Sequence, residues 1–231
     1  MKKLGLIGGV GPESTIKYYR LIIEAFQKEL NTKEYPEFLI ESIDMTKMLS
    51  YVFNNELDKL VDFLCQRIYV LEKAGVDFVA VASNTPHIVI DELVNRTQIP
   101  IISIIDETCN AVKEKSITKV GLFGTKSTMT AGFYQQKANE FGIGIIVPET
   151  GDLDFIHDRY MNELVFSNIN PETKNQLKQI ANQLKENHFI EGLILGGTEL
   201  SLILDQSDFD DLHVFDSTKI HVDSLVLNMI G

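Results

Sequence analysis

The segment Lys3-Leu-Gly-Leu-Ile-Gly8 returns as Lys119-Val-Gly-Leu-Phe-Gly124, and each copy runs into a polar turn and then a helical pattern. A second pair follows at nearly the same distance: Val79-Ala-Val-Ala-Ser-Asn-Thr85 in the first half, Leu193-Ile-Leu-Gly-Gly-Thr-Glu199 in the second. Gly5 and Ser83 lie 78 positions apart, Gly121 and Gly197 76. One glycine after a strand is common in any α/β chain. Two pairs in matching order and spacing point instead to a duplicated lobe.

Between these landmarks short β-branched runs alternate with longer amphipathic stretches, the pattern of βαβ units and a parallel sheet. Strands are predicted at Lys3–Gly8, Glu37–Ile43, Asp77–Ala82, Pro100–Ile104, Lys119–Phe123, Gly144–Val147, Gly192–Leu195 and His213–Phe215. Leu57–Lys73 reads as a helix that buries one face through Leu60, Val61, Leu64, Ile68 and Leu71. The expected fold class is α/β: two pseudosymmetric lobes, each a parallel-type sheet flanked by helices, with a ligand cleft between them. The first lobe is expected from residues 1–99 plus 206–231 and the second from 100–205, the chain crossing near 98–102 and returning after 205. Ligands of open α/β sheets bind beyond the carboxyl ends of the strands, so the polar turns there are the candidate site.

The 21 basic against 33 acidic residues leave a formal charge of -12. Lysines are scattered, so nucleic acid and anionic lipid are excluded as partners, and an anionic ligand needs local donors. The apolar start at Leu4–Ile7 is too short for a signal peptide and no apolar run approaches a membrane span, so a cytoplasmic location is expected. Cys65 and Cys109 are the only cysteines, too few for a disulfide framework and without metal-ligand spacing; no metal is expected. Cys65 sits inside the helix Leu57–Lys73 and Cys109 beside Ile105 and Val112, and both read as structural thiols. Lys47 and Arg159 read as solvated surface cations.

Gly8-Gly-Val-Gly-Pro-Glu-Ser-Thr15 lacks the spacing of a dinucleotide loop, and Pro12 removes an amide that a pyrophosphate would use. Its glycines can still bring backbone close to a small ligand at Gly9, with Ser14 or Thr15 capping the helix. Ser83-Asn84-Thr85 leaves a buried strand for a helix, as do Thr125, Ser127 and Thr128 after Lys119–Phe123, and Thr198 and Glu199 after Gly192–Leu195. Each hydroxyl alone is most simply a helix cap. Converging at strand ends, hydroxyls and helix-start amides suit a carboxylate. His87 and His221 are each open to a ligand contact or a structural hydrogen bond, and Glu199 to a base or a helix-start acid.

Gly8-Gly9 with Glu13-Ser-Thr15, Asn84-Thr85 with His87, Gly124-Thr125, Leu195-Gly-Gly-Thr-Glu-Leu200 and Asp216-Ser-Thr-Lys-Ile-His221 together resemble the aspartate/glutamate racemase family over nearly the whole chain. The resemblance implies a cofactor-independent amino-acid racemase of two pseudosymmetric lobes, often dimeric, acting on acidic amino acids without pyridoxal phosphate. Its partners would be a small anionic amino acid or dicarboxylate and a second copy of the chain. In that family one cysteine thiolate removes the α-proton while an opposite thiol returns one. Amides and hydroxyls around the carboxylate stabilise the developing charge. The resemblance places the first cysteine at Ser83, immediately before Asn84-Thr85, and the second at Gly197, immediately before Thr198-Glu199.

A cysteine ionises near neutral pH, since its free pKa is about 8.5 and helix N-termini lower it. A serine hydroxyl needs a neighbouring base, and glycine offers no side chain. On that resemblance the expected catalytic positions are Ser83, Gly197 and Glu199, and the expected substrate-binding set is Gly9, Asn84, Thr85, Thr125, Ser127, Thr128 and Thr198. Racemisation by two thiols is not available to this chain. The rival readings are another isomerase or lyase on the same scaffold, and a non-catalytic binder of dicarboxylates or amino acids.

Overall fold

In a computed structural model describing all 231 residues, eight strands form two four-stranded sheets whose neighbours all run parallel. Every expected strand is present, its ends within two residues of the expected ones. The chain divides into one unit of Met1–Ile104 with His221–Gly231 and a second of Ile105–Ile220.

The first unit runs β1 (Leu4–Gly8), α1 (Pro12–Glu29), β2 (Phe38–Ser42), α2 (Met45–Phe53), α3 (Leu57–Lys73), β3 (Phe78–Val81), a 3-10 turn over Thr85–Val89, α4 (Ile90–Arg96) and β4 (Ile101–Ile102). Its sheet order is β2-β1-β3-β4. Strands covered on both faces must be apolar throughout, and β1 and β3 are buried at every position. Ile7, Val79 and Val81 share one core with Leu60, Val61, Leu64, Ile68 and Leu71 of α3, the stripe expected from sequence. Leu4, Leu6, Phe78 and Ala80 join the other core with Tyr18, Ile22 and Phe26 of α1. Each fully buried Val, Leu, Ile or Phe among them contributes about 1.5–3 kcal/mol.

The second unit runs α5 (Ile104–Glu114), β5 (Lys119–Gly124), α6 (Lys126–Thr130), α7 (Phe133–Glu140), β6 (Gly144–Ile146), α8 (Thr150–Asn162), α9 (Pro171–His188), β7 (Gly192–Gly196), β8 (His213–Asp216) and the start of α10 (Ser217–Ile230). Its order is β6-β5-β7-β8, the order of the first sheet repeated. The residues of α10 from Val222 to Met229 complete the first unit's core. The return to the first unit therefore falls at residues 220–221, not after 205. The physical reason is β8, which pairs with β7 and holds the intervening residues to the second sheet.

Candidate active site

The register makes the two halves comparable residue by residue. Gly5 lies opposite Val79 and Ile7 opposite Val81; Gly121 lies opposite Leu193 and Phe123 opposite Leu195. Two residues beyond Val81 comes Ser83, and two beyond Leu195 comes Gly197. Equivalent sheets thus carry these two residues past the carboxyl ends of equivalent strands.

In the first unit, β1 turns into α1 through Gly9 at φ 79, a left-handed conformation where a β-carbon would also collide with the backbone of Ile43. Glycine is required there, but its amide is engaged: Gly9 N–H donates to Thr15 Oγ1 at 2.8 Å. Neither Ser14 nor Thr15 caps α1, contrary to expectation. Pro12 begins the helix after Gly11 with no side-chain cap, and Ser14 Oγ instead donates to the Ala82 carbonyl at 3.0 Å. Ser14 thereby ties α1 to the turn that carries Ser83.

Ser83 is partly buried, and Asn84, Thr85 and His87 are buried in the 3-10 turn that follows or at its start. The His87 Nδ1 lies 2.8 Å from the Ser83 carbonyl. A carbonyl only accepts, so Nδ1 carries the hydrogen and donates. Burial lowers the His87 pKa to about 4, against the two backbone hydrogen bonds that favour its charged form. His87 therefore braces the Ser83 backbone as a neutral ring through Nδ1, while its buried Nε2 has no hydrogen-bond partner. His221, by contrast, is held at both ring nitrogens. Its Nε2 donates to the Ile102 carbonyl at 3.0 Å and its Nδ1 accepts the Tyr18 hydroxyl at 2.8 Å. Burial, with His87 nearby, lowers its pKa to about 3.

In the second unit, Thr125 caps α6: its hydroxyl accepts the Thr128 amide at 3.2 Å and meets the Thr128 hydroxyl at 3.0 Å. Ser127 sits partly buried in that first turn. The turn after β7 holds Gly197, Thr198 and Glu199, all buried. Thr198 Oγ1 donates to Glu199 Oε2 at 2.5 Å, and Tyr160 of α8 donates its phenol hydrogen to the same oxygen. Burial first, then the Glu199 carboxylate, push the Tyr160 pKa well above its ordinary value. The phenol keeps its proton near neutral pH.

Tyr160 does more than bind Glu199. A β-carbon built on Gly197 would meet the Tyr160 ring, standing 3.0 Å from both Cζ and the hydroxyl oxygen and closer still to Cε2. Real β-carbons do not approach ring atoms so closely, so the aromatic ring holds the volume a side chain at 197 would enter. Gly197 has no left-handed φ, so its glycine answers to this crowding and not to backbone conformation. The same helix reaches the turn after β5, where the Lys126 amide donates to His157 Nδ1 at 3.2 Å and Lys126 Nζ pairs with Asp154 at 2.7 Å.

Tyr160 and α8 carried no signal in the sequence. The tyrosine lies 37 positions before Gly197 in an ordinary amphipathic helix, and only tertiary packing brings the two together. Neither cysteine lies in these turns. Cys109 is fully buried on α5, and burial pushes its pKa up to about 12. Cys65 packs against the core under α3, its pKa raised by burial. Lys47 lies over the Phe63 ring and Arg159 pairs with Glu163.

The family model described as Asp/Glu/hydantoin racemase matches residues 7–225. A Yersinia pestis protein assigned to the Asp/Glu racemases has the same fold at TM-score 0.92 and 29% identity, all of each chain being covered. An aspartate racemase homologue from Pyrococcus horikoshii OT3 superposes at TM-score 0.89 and 35% identity, again over all of both chains. The broad-specificity amino-acid racemase RacX of Bacillus subtilis (strain 168) is 27% identical over 136 residues, 58% of this chain. That match spans 59% of RacX, less than two thirds of its length. Two repeated parallel sheets, the paired turns at their strand ends and a family match over nearly the whole chain lead to one conclusion: this chain belongs to the Asp/Glu/hydantoin racemase family.

Proposed function

We propose that this chain binds a small acidic amino acid at the carboxyl ends of its strands and moves the α-proton without pyridoxal phosphate, through hydroxyl and carboxylate groups in place of the two thiols. Ser83 and Glu199 are the proton-handling groups, and Gly197 marks the position where the second thiol is missing. Asn84, Thr85, Thr125, Ser127, Thr128 and Thr198 form the carboxylate-binding set, and Gly9, whose amide is held by Thr15, contributes close backbone approach and no donor. The supporting observation is the register match: equivalent strands in two sheets of the same order lead into Ser83-Asn84-Thr85 and Gly197-Thr198-Glu199. The protein is read as a cytoplasmic homodimer.

A serine hydroxyl is a poor base, so slow turnover is expected. The test is incubation with each enantiomer of aspartate and glutamate in deuterated buffer, following α-hydrogen loss by NMR and inversion by chiral chromatography. Binding without either signal supports the second reading, a non-catalytic amino-acid or dicarboxylate binder. The observation favouring that reading is the Tyr160 ring over Gly197, which leaves no room for a second thiol.

A further inference from the structure

We propose that Tyr160 is the second half-site's catalytic residue, a proton relay that takes the place of a side chain at 197 and passes its proton to Glu199. The inference rests on the reading above that the strand ends bind an amino acid. Its footing is geometric. The phenol oxygen stands 3.0 Å from where the β-carbon of a residue at 197 would be, in the space a side chain there would fill. Its hydrogen is already directed at Glu199 Oε2, which also receives the Thr198 hydroxyl. A proton-bearing oxygen and a carboxylate acceptor are thus linked at a position where the polypeptide itself supplies only hydrogen.

The step balances without a further reactant. The phenol oxygen takes the substrate's α-hydrogen as a proton, and the phenol's own proton moves to Glu199 Oε2. The electron pair of the broken C–H bond stays on the substrate as its enolate, and Glu199 becomes neutral. In the reverse step Glu199 returns its proton to the phenol oxygen as the phenol's other hydrogen goes back to the α-carbon. No phenolate forms, which suits a buried phenol that resists ionisation. While the enolate is held, the hydrogens on the phenol and on Glu199 exchange with solvent, so the reverse step delivers deuterium to the α-carbon from one side only.

The experiment measures α-hydrogen exchange of each enantiomer of aspartate and glutamate in deuterated buffer, alongside calorimetric binding and thermal melts. Wild-type protein exchanges one enantiomer. Tyr160→Phe keeps the ring over Gly197 but removes the relayed proton, and exchange falls by about 100-fold or more with binding nearly unchanged. Glu199→Gln falls similarly, and it carries the same test should Tyr160→Phe fail to fold. Exchange in Tyr160→Phe equal to wild type overturns the relay while leaving the α-proton chemistry in place. Binding with no wild-type exchange overturns the relay and supports the binder. Neither binding nor exchange overturns both the relay and the acidic amino-acid reading.

Discussion

Tyr160 lies so close over Gly197 that a β-carbon at 197 would stand 3.0 Å from its hydroxyl oxygen, although the two residues belong to different elements and are 37 positions apart in the chain. The phenol is anchored there by Glu199, two residues beyond the glycine. Position 197 and position 160 therefore act as a unit: a side chain at one excludes the ring at the other.

Gly197→Ala is expected to destabilise the fold by about 1–3 kcal/mol, the usual cost of overpacking a filled site. Tyr160→Ala alone also destabilises, since it empties a buried aromatic site and leaves Glu199 short of a donor. The two together should cost less than their sum, because each removes the other's clash or void. Urea unfolding of the four proteins measures the coupling. Strict additivity would show that the ring does not respond to the residue at 197.

Thiol chemistry should be restorable only with this coupling respected. Ser83→Cys alone is expected to exchange the α-hydrogen of one enantiomer faster than wild type, because a thiolate is available near neutral pH. Adding Gly197→Cys against an intact Tyr160 should give poorly folded protein. Ser83→Cys with Gly197→Cys and Tyr160→Ala makes room for both thiols and should interconvert the enantiomers. Chiral chromatography of aspartate reads the result. Racemisation by Ser83→Cys with Gly197→Cys at full stability and an unaltered Tyr160 would contradict the steric account.

His87 and His221 predict an acid-side loss of stability. Their folded pKa values are lowered to about 4 and about 3, while an unfolded histidine titrates near pH 6.5. Below pH 6.5 the unfolded chain takes up protons that the folded chain refuses, so stability falls with pH until the folded values are reached. Each histidine contributes a slope of about 1.4 kcal/mol per pH unit within that window and none above about pH 7.5. Urea midpoints at pH 7.5, 6.5, 5.8 and 5.2 should drop accordingly, and His221→Gln should lower the slope by one proton. A wild-type profile flat from pH 6.5 to 5.2 would remove the basis for calling these rings buried and neutral.

Ligand binding should be visible as thermal stabilisation. At a hundred times its dissociation constant a ligand adds about 2.7 kcal/mol. Aspartate, glutamate, malate and succinate form the first panel, with neutral amino acids as controls. A melt unmoved by every dicarboxylate at high concentration counts against an anion site at these strand ends.

Sedimentation at micromolar concentration is expected to give a homodimer, twice the 26.1 kDa chain. Exposed apolar residues such as Tyr19 and Tyr35 supply surface that an interface could cover. A single species at the monomer mass would rule the dimer out.

The alternation of apolar strands with amphipathic helices, and the repetition of both glycine-bearing segments, determined the α/β class, all eight strands and the equivalence of Ser83 with Gly197. Those features are periodic and local, so they survive in the linear chain. Even the buried stripe of α3 was legible, because helical spacing alone specifies which side chains share a face. Tertiary structure decided the rest. It gave the Thr15 hydroxyl to the Gly9 amide and the Ser14 hydroxyl to Ala82, where capping had been expected. It tied His87 to the Ser83 carbonyl and His221 to the Ile102 carbonyl, and carried β8 into the second sheet. It set Tyr160 over Gly197, which no reading of neighbours along the chain could reveal. A hydroxyl or a ring takes whichever partner the fold brings within reach, and the distance that selects the partner is measured through space, not along sequence.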